Sequence, residues 1–134
     1  HLSRMRAKAL AEFGFHEGDF DVLATLRRTG QPYCLSPTLL YTSLLVTSGA
    51  MTNRLNRLEE SGFIARTADP ADKRSMLVAL TETGLATIER ALIFHTEMQN
   101  TLLSQLDDAQ QQQLKALLSQ LLMATEPAAD KPTL

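Results

Sequence analysis

With 134 residues, 44% of them hydrophobic and 21% charged, the chain is expected to be one domain that buries a core without disulfides or metal, and its composition excludes disorder. No apolar run approaches the roughly 18 residues that span a bilayer. The start His1-Leu2-Ser3-Arg4 lacks the apolar stretch of a secretory signal and the single Cys34 cannot form an internal disulfide, so a cytoplasmic location with no membrane contact is expected.

Leu2, Met5, Ala9 and Phe13 recur at helical spacing and predict a first helix that ends at Gly14. His1 is not an initiator methionine, so this helix is expected to be a fragment of a longer one. After a turn from Phe15 to Gly18, a second helix runs from Asp19 to Arg28, with Phe20, Leu23 and Leu26 three apart and Gly30 and Pro32 closing it. Cys34 falls in the following loop beside Tyr33, Leu35 and Ser36, without the positive charge that activates a thiolate, and reads as an incidental thiol. Ser36-Pro37 is a start signal: a serine oxygen accepts from an orphan amide, and proline at the first helical position gives up no hydrogen bond. A short third helix should run from there to about Leu44.

Val46-Thr47-Ser48-Gly49 connects it tightly to a fourth helix, in which Met51, Leu55 and Leu58 share one face and Ser61-Gly62 ends the run. The β-prone runs Phe63 to Thr67 and Ser75 to Leu80 flank the turn-rich Ala68-Asp69-Pro70-Ala71-Asp72-Lys73-Arg74 and predict a hairpin with a charged tip. Thr81 can cap a long fifth helix through Leu85, Ile88 and Leu92 toward Leu103. Asp107 and Gln110 form a capping box before a last helix striped by Leu114, Leu117, Leu118, Leu121 and Leu122. That stripe is too apolar to face water and must pack on the domain or on another subunit.

The order is that of a winged helix-turn-helix, mainly α with a small β-hairpin wing, carrying N- and C-terminal helices whose natural use is a dimer interface. The net charge of −2 argues against nucleic-acid binding through bulk charge, but Thr47 to Leu80 is slightly positive and permits it locally.

Phe20-Asp21-Val22-Leu23-Ala24-Thr25-Leu26, Leu35-Ser36-Pro37-Thr38, the run from Thr47 to Glu59, Asp69-Pro70-Ala71-Asp72-Lys73-Arg74-Ser75 and Leu80-Thr81-Glu82-Thr83-Gly84 together resemble the multiple antibiotic resistance regulator (MarR) family of bacterial transcription factors. The resemblance implies a symmetric homodimer, a fourth helix in the DNA major groove, a wing in the minor groove and often release by a small aromatic or phenolic effector. It frames residues 1–134 as a single domain with a core at 18–80, dimerisation regions at 1–17 and 85–126 and a frayed tail at 127–134. The family's first helix is usually longer, which places part of the interface and effector pocket upstream of His1; no residue identifies the effector.

A helical wheel turns Gly49, Asn53, Asn56 and Arg57 away from the apolar face, with Ser48 and Thr52 on the flanks and Arg54 toward the inner flank, as suited to pairing with an acid or a phosphate as to touching a base. Asparagine pairs with adenine and arginine with guanine, while serine and threonine serve base or phosphate. Gly49 permits close approach of the helix start, and Glu60 on the same side should lie beyond the groove. At the wing, Arg74 is expected in the minor groove, Lys73 and Arg66 on phosphates, and Asp72 as a tie for backbone amides or an arginine. Ser36, Thr38 and Thr47 are expected to support the helix-turn-helix. The predicted partner is near-palindromic duplex DNA, regulated as by a repressor.

No phosphate-cradling glycine loop, His-Glu-x-x-His or nucleophile elbow is present, so neither an enzyme nor a cofactor is expected. Two alternatives differ: a winged helix used for protein contact, and a metal-responsive regulator using Glu12 and His16 four apart, with His95 as a third ligand. Gly14 is expected to break the helix between the first two.

Overall fold

A computed structural model describes residues 2–16 and 18–125; the tail at 127–134 lies outside the described residues. The elements are α1 (Leu2–Ala11), α2 (Asp19–Arg28), β1 (Cys34–Leu35), α3 (Pro37–Ser43), α4 (Ser48–Glu60), β2 (Ile64–Ala68), β3 (Met76–Leu80), α5 (Glu82–Leu103) and α6 (Asp108–Thr125). They form two compact units, one ending at His95 and one beginning at Thr96. The division falls inside the stretch 85–126 read from sequence as one dimerisation region.

The first unit packs around Val22, Leu23 and Leu26 of α2, Leu40 of α3, Met51, Leu55 and Leu58 of α4, Ile64 and Val78 of the sheet and Ile88 of α5, all buried. Local chemistry sets the helix ends. Ser36 caps α3 by accepting from the Leu39 amide at 3.2 Å, with Pro37 at the first position, and Thr47 caps α4 by accepting from the Ala50 amide at 3.2 Å. At the far end of α4, Gly62 takes φ +76° while its amide donates to the Glu59 carbonyl at 2.9 Å and the Phe63 amide to the Leu58 carbonyl at 3.0 Å. This paired arrangement satisfies the last carbonyls and turns the chain into the wing.

α1 stops at Ala11, short of the expected Phe13, because the chain tightens: the Phe13 amide donates to the Leu10 carbonyl at 3.0 Å and Gly14 follows at φ +77°. The turn carries Phe13 and Phe15 into an aromatic group in which Phe13 meets Phe94 at 5.8 Å and Phe15 meets Phe63 edge-on at 5.5 Å.

The sheet has three antiparallel strands in the order β1-β3-β2. The hairpin runs in register from Ile64 opposite Leu80 to Ala68 opposite Met76. The loop expected around Cys34 is instead a strand, Cys34 pairing with Ala79 and Leu35 with Val78.

One junction gathers the end of α4, the base of the wing and the start of α5. The Thr81 hydroxyl donates to the Gly62 carbonyl at 2.6 Å and accepts from the Gly84 amide at 2.9 Å, and the Thr81 amide donates to the Phe63 carbonyl at 3.0 Å. Gly84 lies so close that a Cβ there would overlap the Phe63 carbonyl oxygen.

In the second unit, the capping box forms as read: the Asp107 amide donates to Gln110 Oε1 at 2.9 Å and the Gln110 amide to Asp107 Oδ1 at 2.8 Å. Gln111 Nε2 closes the preceding turn by donating to the Leu103 and Leu106 carbonyls at 3.0 and 3.1 Å. Among the described residues of α6 none is buried, and Leu114, Leu117, Leu118, Leu121 and Leu122 stand open to solvent.

Candidate nucleic-acid interface

α4 presents two chemically different sides. Met51, Leu55 and Leu58 are in the core, while Ser48, Gly49, Thr52, Asn53 and Asn56 are exposed. Thr52 donates its hydroxyl to the Ser48 carbonyl at 2.9 Å, which leaves its oxygen free to act as an acceptor. A Cβ added at Gly49 would meet nothing within 4 Å, so no neighbour in this chain demands a glycine there. Glu60 is exposed at the last turn, a full helix length from Ser48.

Among the arginines of α4, Arg57 departs from the helical-wheel reading. Arg57 is not a free outward cation: its Nη2 pairs with Asp19 Oδ1 at 3.1 Å, and the other Asp19 oxygen accepts the His16 amide at 2.8 Å. Asp19 is 2% exposed, and a carboxylate that deep needs a cation; Arg57 lies on the flank of α4 nearest it. Arg54 lies toward the inner flank as expected and, among the described residues, forms no ion pair. Its guanidinium covers Gly18, where an added Cβ would overlap Arg54 Cζ, and it lines a cavity with Arg4, Arg6, Phe20 and Asp21.

Arg66 is likewise engaged and does not stand free for phosphate. It forms an ion pair with Glu59 through Nη1 and donates through Nη2 to Asn56 Oδ1 at 2.7 Å, while its amide donates to Glu59 Oε1 at 3.2 Å. The strand thereby clamps the wing to the last turns of α4.

At the wing tip, Asp72 ties the loop as expected: Oδ1 accepts the Arg74 amide at 3.0 Å and Oδ2 the Ser75 hydroxyl at 3.2 Å. Asp69 does the same for the Ala71 amide at 2.8 Å. These short carboxylate bonds fix the backbone and spend the local negative charge on amides. Lys73 and Arg74 are exposed and, among the described residues, their side chains hold no ion pair or hydrogen bond. Ser36 and Thr47 act as helix caps, and the Thr38 carbonyl accepts the Thr42 hydroxyl at 2.7 Å inside α3.

The geometry does not bring together the ligands expected for the metal alternative. α1 ends before Glu12, so Glu12 and His16 share no helix face, and His95 packs its ring on Phe20 at 5.0 Å. Among the described residues no group of three or more His, Cys, Asp or Glu is placed to hold an ion. Burial, with the Arg6 charge adding to it and Asp21 opposing, holds the His95 imidazole below its ordinary pKa.

Sequence reasoning misses Asp19 and Glu59 as organisers of this face. For Asp19 a signal exists: it stands on the same helical face as Val22, Leu23 and Leu26, where a carboxylate is out of place without a partner.

The family model described as MarR family matches residues 16–76. The HTH-type transcriptional regulator PecS of Dickeya dadantii (strain 3937) is 35% identical over 117 residues, covering 87% of this chain and 70% of PecS. Among solved structures, a mutant MarR from E. coli complexed with operator DNA is similar at a TM-score of 0.74 with 30% identity, over 89% of this chain and 84% of that one. The S. aureus MepR–DNA complex is similar at a TM-score of 0.77 with 27% identity, over 92% of each chain. The chain belongs to the MarR family of winged helix-turn-helix proteins, whose relatives here are transcriptional regulators.

Proposed function

We propose that this protein is a sequence-specific regulator that binds duplex DNA as a homodimer, with α4 in the major groove and the β2–β3 wing in the minor groove. The observation that carries the reading is the exposed polar side of α4 from Ser48 to Asn56, standing in the same unit as a wing tip whose Lys73 and Arg74 are unpaired among the described residues. Helices of this kind read base edges through such side chains, and an arginine entering the minor groove meets its negative potential. The capped start of α4 adds a partial positive charge suited to phosphate. Arg54, Arg57 and Arg66 serve in this reading to hold α4 in place, and base contact passes to Ser48, Thr52, Asn53 and Asn56.

The leucines of α6 supply the second half of the proposal. Five exposed leucines on one helix are a cost in water that a second copy removes. Two copies set their reading helices about 34 Å apart, one turn of B-form DNA, which makes the operator a near-palindrome. Repression by occlusion follows most simply, with release by a small aromatic or phenolic effector that prefers wrongly spaced reading heads.

Selection of bound sequences from random duplex DNA tests this directly. The expected result is an enriched near-palindrome, with affinity falling steeply as salt rises, and with Arg74→Ala weakening binding several-fold and flattening the salt dependence. No enriched sequence, or a salt response unchanged by Arg74→Ala on the enriched site, overturns the assignment.

A further inference from the structure

We infer that Asn56 reads DNA as a hydrogen-bond donor alone, held in that role by Arg66, so that its operator position excludes cytosine but does not single out adenine. The inference rests on α4 being the reading helix. A guanidinium only donates, so the atom of Asn56 that receives Arg66 Nη2 at 2.7 Å is the amide oxygen, whichever way the amide would otherwise turn. The amide is planar, so its NH2 group points away from Arg66, on an exposed residue of the polar side of α4. Arg66 cannot follow a moving amide. Its Nη1 is paired with Glu59, whose other oxygen holds the Arg66 backbone amide at 3.2 Å.

The usual adenine contact of asparagine needs both ends of the amide, the oxygen accepting from N6 and the NH2 donating to N7. With its oxygen aimed at Arg66, Asn56 offers only the NH2. Adenine N7, guanine N7 and O6 and thymine O4 can each accept that bond in the major groove, whereas cytosine presents only its amino donor, so the position excludes cytosine without singling out adenine. Arg66 is thus a positioning residue for base choice, and its effect passes through one amide.

Selection from random duplex DNA with wild type, Asn56→Asp and Arg66→Met tests the inference. Aspartate keeps the bond to Arg66 and replaces the donor by an acceptor. In wild type one position per half-site excludes cytosine and accepts adenine, guanine and thymine alike on one strand. Asn56→Asp shifts that position alone to adenine or cytosine, by about five-fold for a single hydrogen bond, and Arg66→Met, which frees the amide oxygen, narrows it to adenine while other positions keep their preferences. The inference is overturned if Asn56→Asp changes no position, or if the position it changes is restricted to a single A·T pair in wild type, the mark of two-ended adenine pairing. It is equally overturned if Arg66→Met lowers affinity uniformly and leaves the base tolerance at that position unchanged. Failure of the parent reading looks different, since wild type then enriches no sequence at all.

Discussion

Gly49 is a residue whose identity the chain itself does not require. Open space surrounds the position a Cβ would occupy, and glycine inside a helix costs up to about 1 kcal/mol relative to alanine. Gly49→Ala is therefore expected to raise the melting temperature slightly while weakening operator binding several-fold, as measured by calorimetry and by titration on the selected site. A variant that gains stability and keeps full affinity shows that nothing approaches α4 closely at its start. The same scale shows where sequence reading stops. A wheel places Met51, Leu55 and Leu58 inside and Asn53 outside from spacing alone, but it cannot see what stands across the gap. The sequence reading gives Arg57 of α4 and Arg66 of the wing to DNA because their partners, Asp19 and Glu59, come from α2 and from the far turn of α4. A side chain's direction is local information; its partner is not.

Elements are legible where their signals are local. Ser36-Pro37, Thr81 and the Asp107–Gln110 box each declare a helix start through bonds spanning three residues, and all three form. β1 is not legible, since a strand of two residues has no periodicity and its partner, β3, lies more than 40 positions along the chain. The stripe on α6 is legible as apolar, though not what covers it. Placing charge on that stripe with Leu118→Glu and Leu121→Glu is expected to convert a dimer to a monomer in sedimentation at micromolar concentration, while the α6 caps keep the helix formed. A double variant that sediments as the wild type does places the subunit contact elsewhere. Loss of the dimer should also lower operator affinity by more than about ten-fold, because each half-site then binds alone.

At the scale of the molecule, three helices of the first unit meet at His95. Its α5 ring lies on Phe20 of α2, and Arg6 of α1 spans to Asp21 at 2.7 Å and covers the Phe20 ring at 5.5 Å. Burial keeps this imidazole neutral to lower pH than in the unfolded chain, so the unfolded state takes up the proton first. The stability it contributes is whole above about pH 6.5 and is lost as pH falls from there through the lowered folded value. His95→Gln should accordingly flatten the drop in melting temperature between about pH 7.5 and 5.5, and parallel curves for the two proteins would refute the assignment. The knot at Thr81, where one hydroxyl bridges the Gly62 carbonyl and the Gly84 amide, has a mechanical corollary. If α4 and the wing read DNA as proposed, a rotation of the first turns of α5 is expected to move both together, since the end of α4 and the base of the wing are tied to it there. An operator whose two grooves are offset from the preferred twist is then expected to lose both contacts together and not one at the expense of the other.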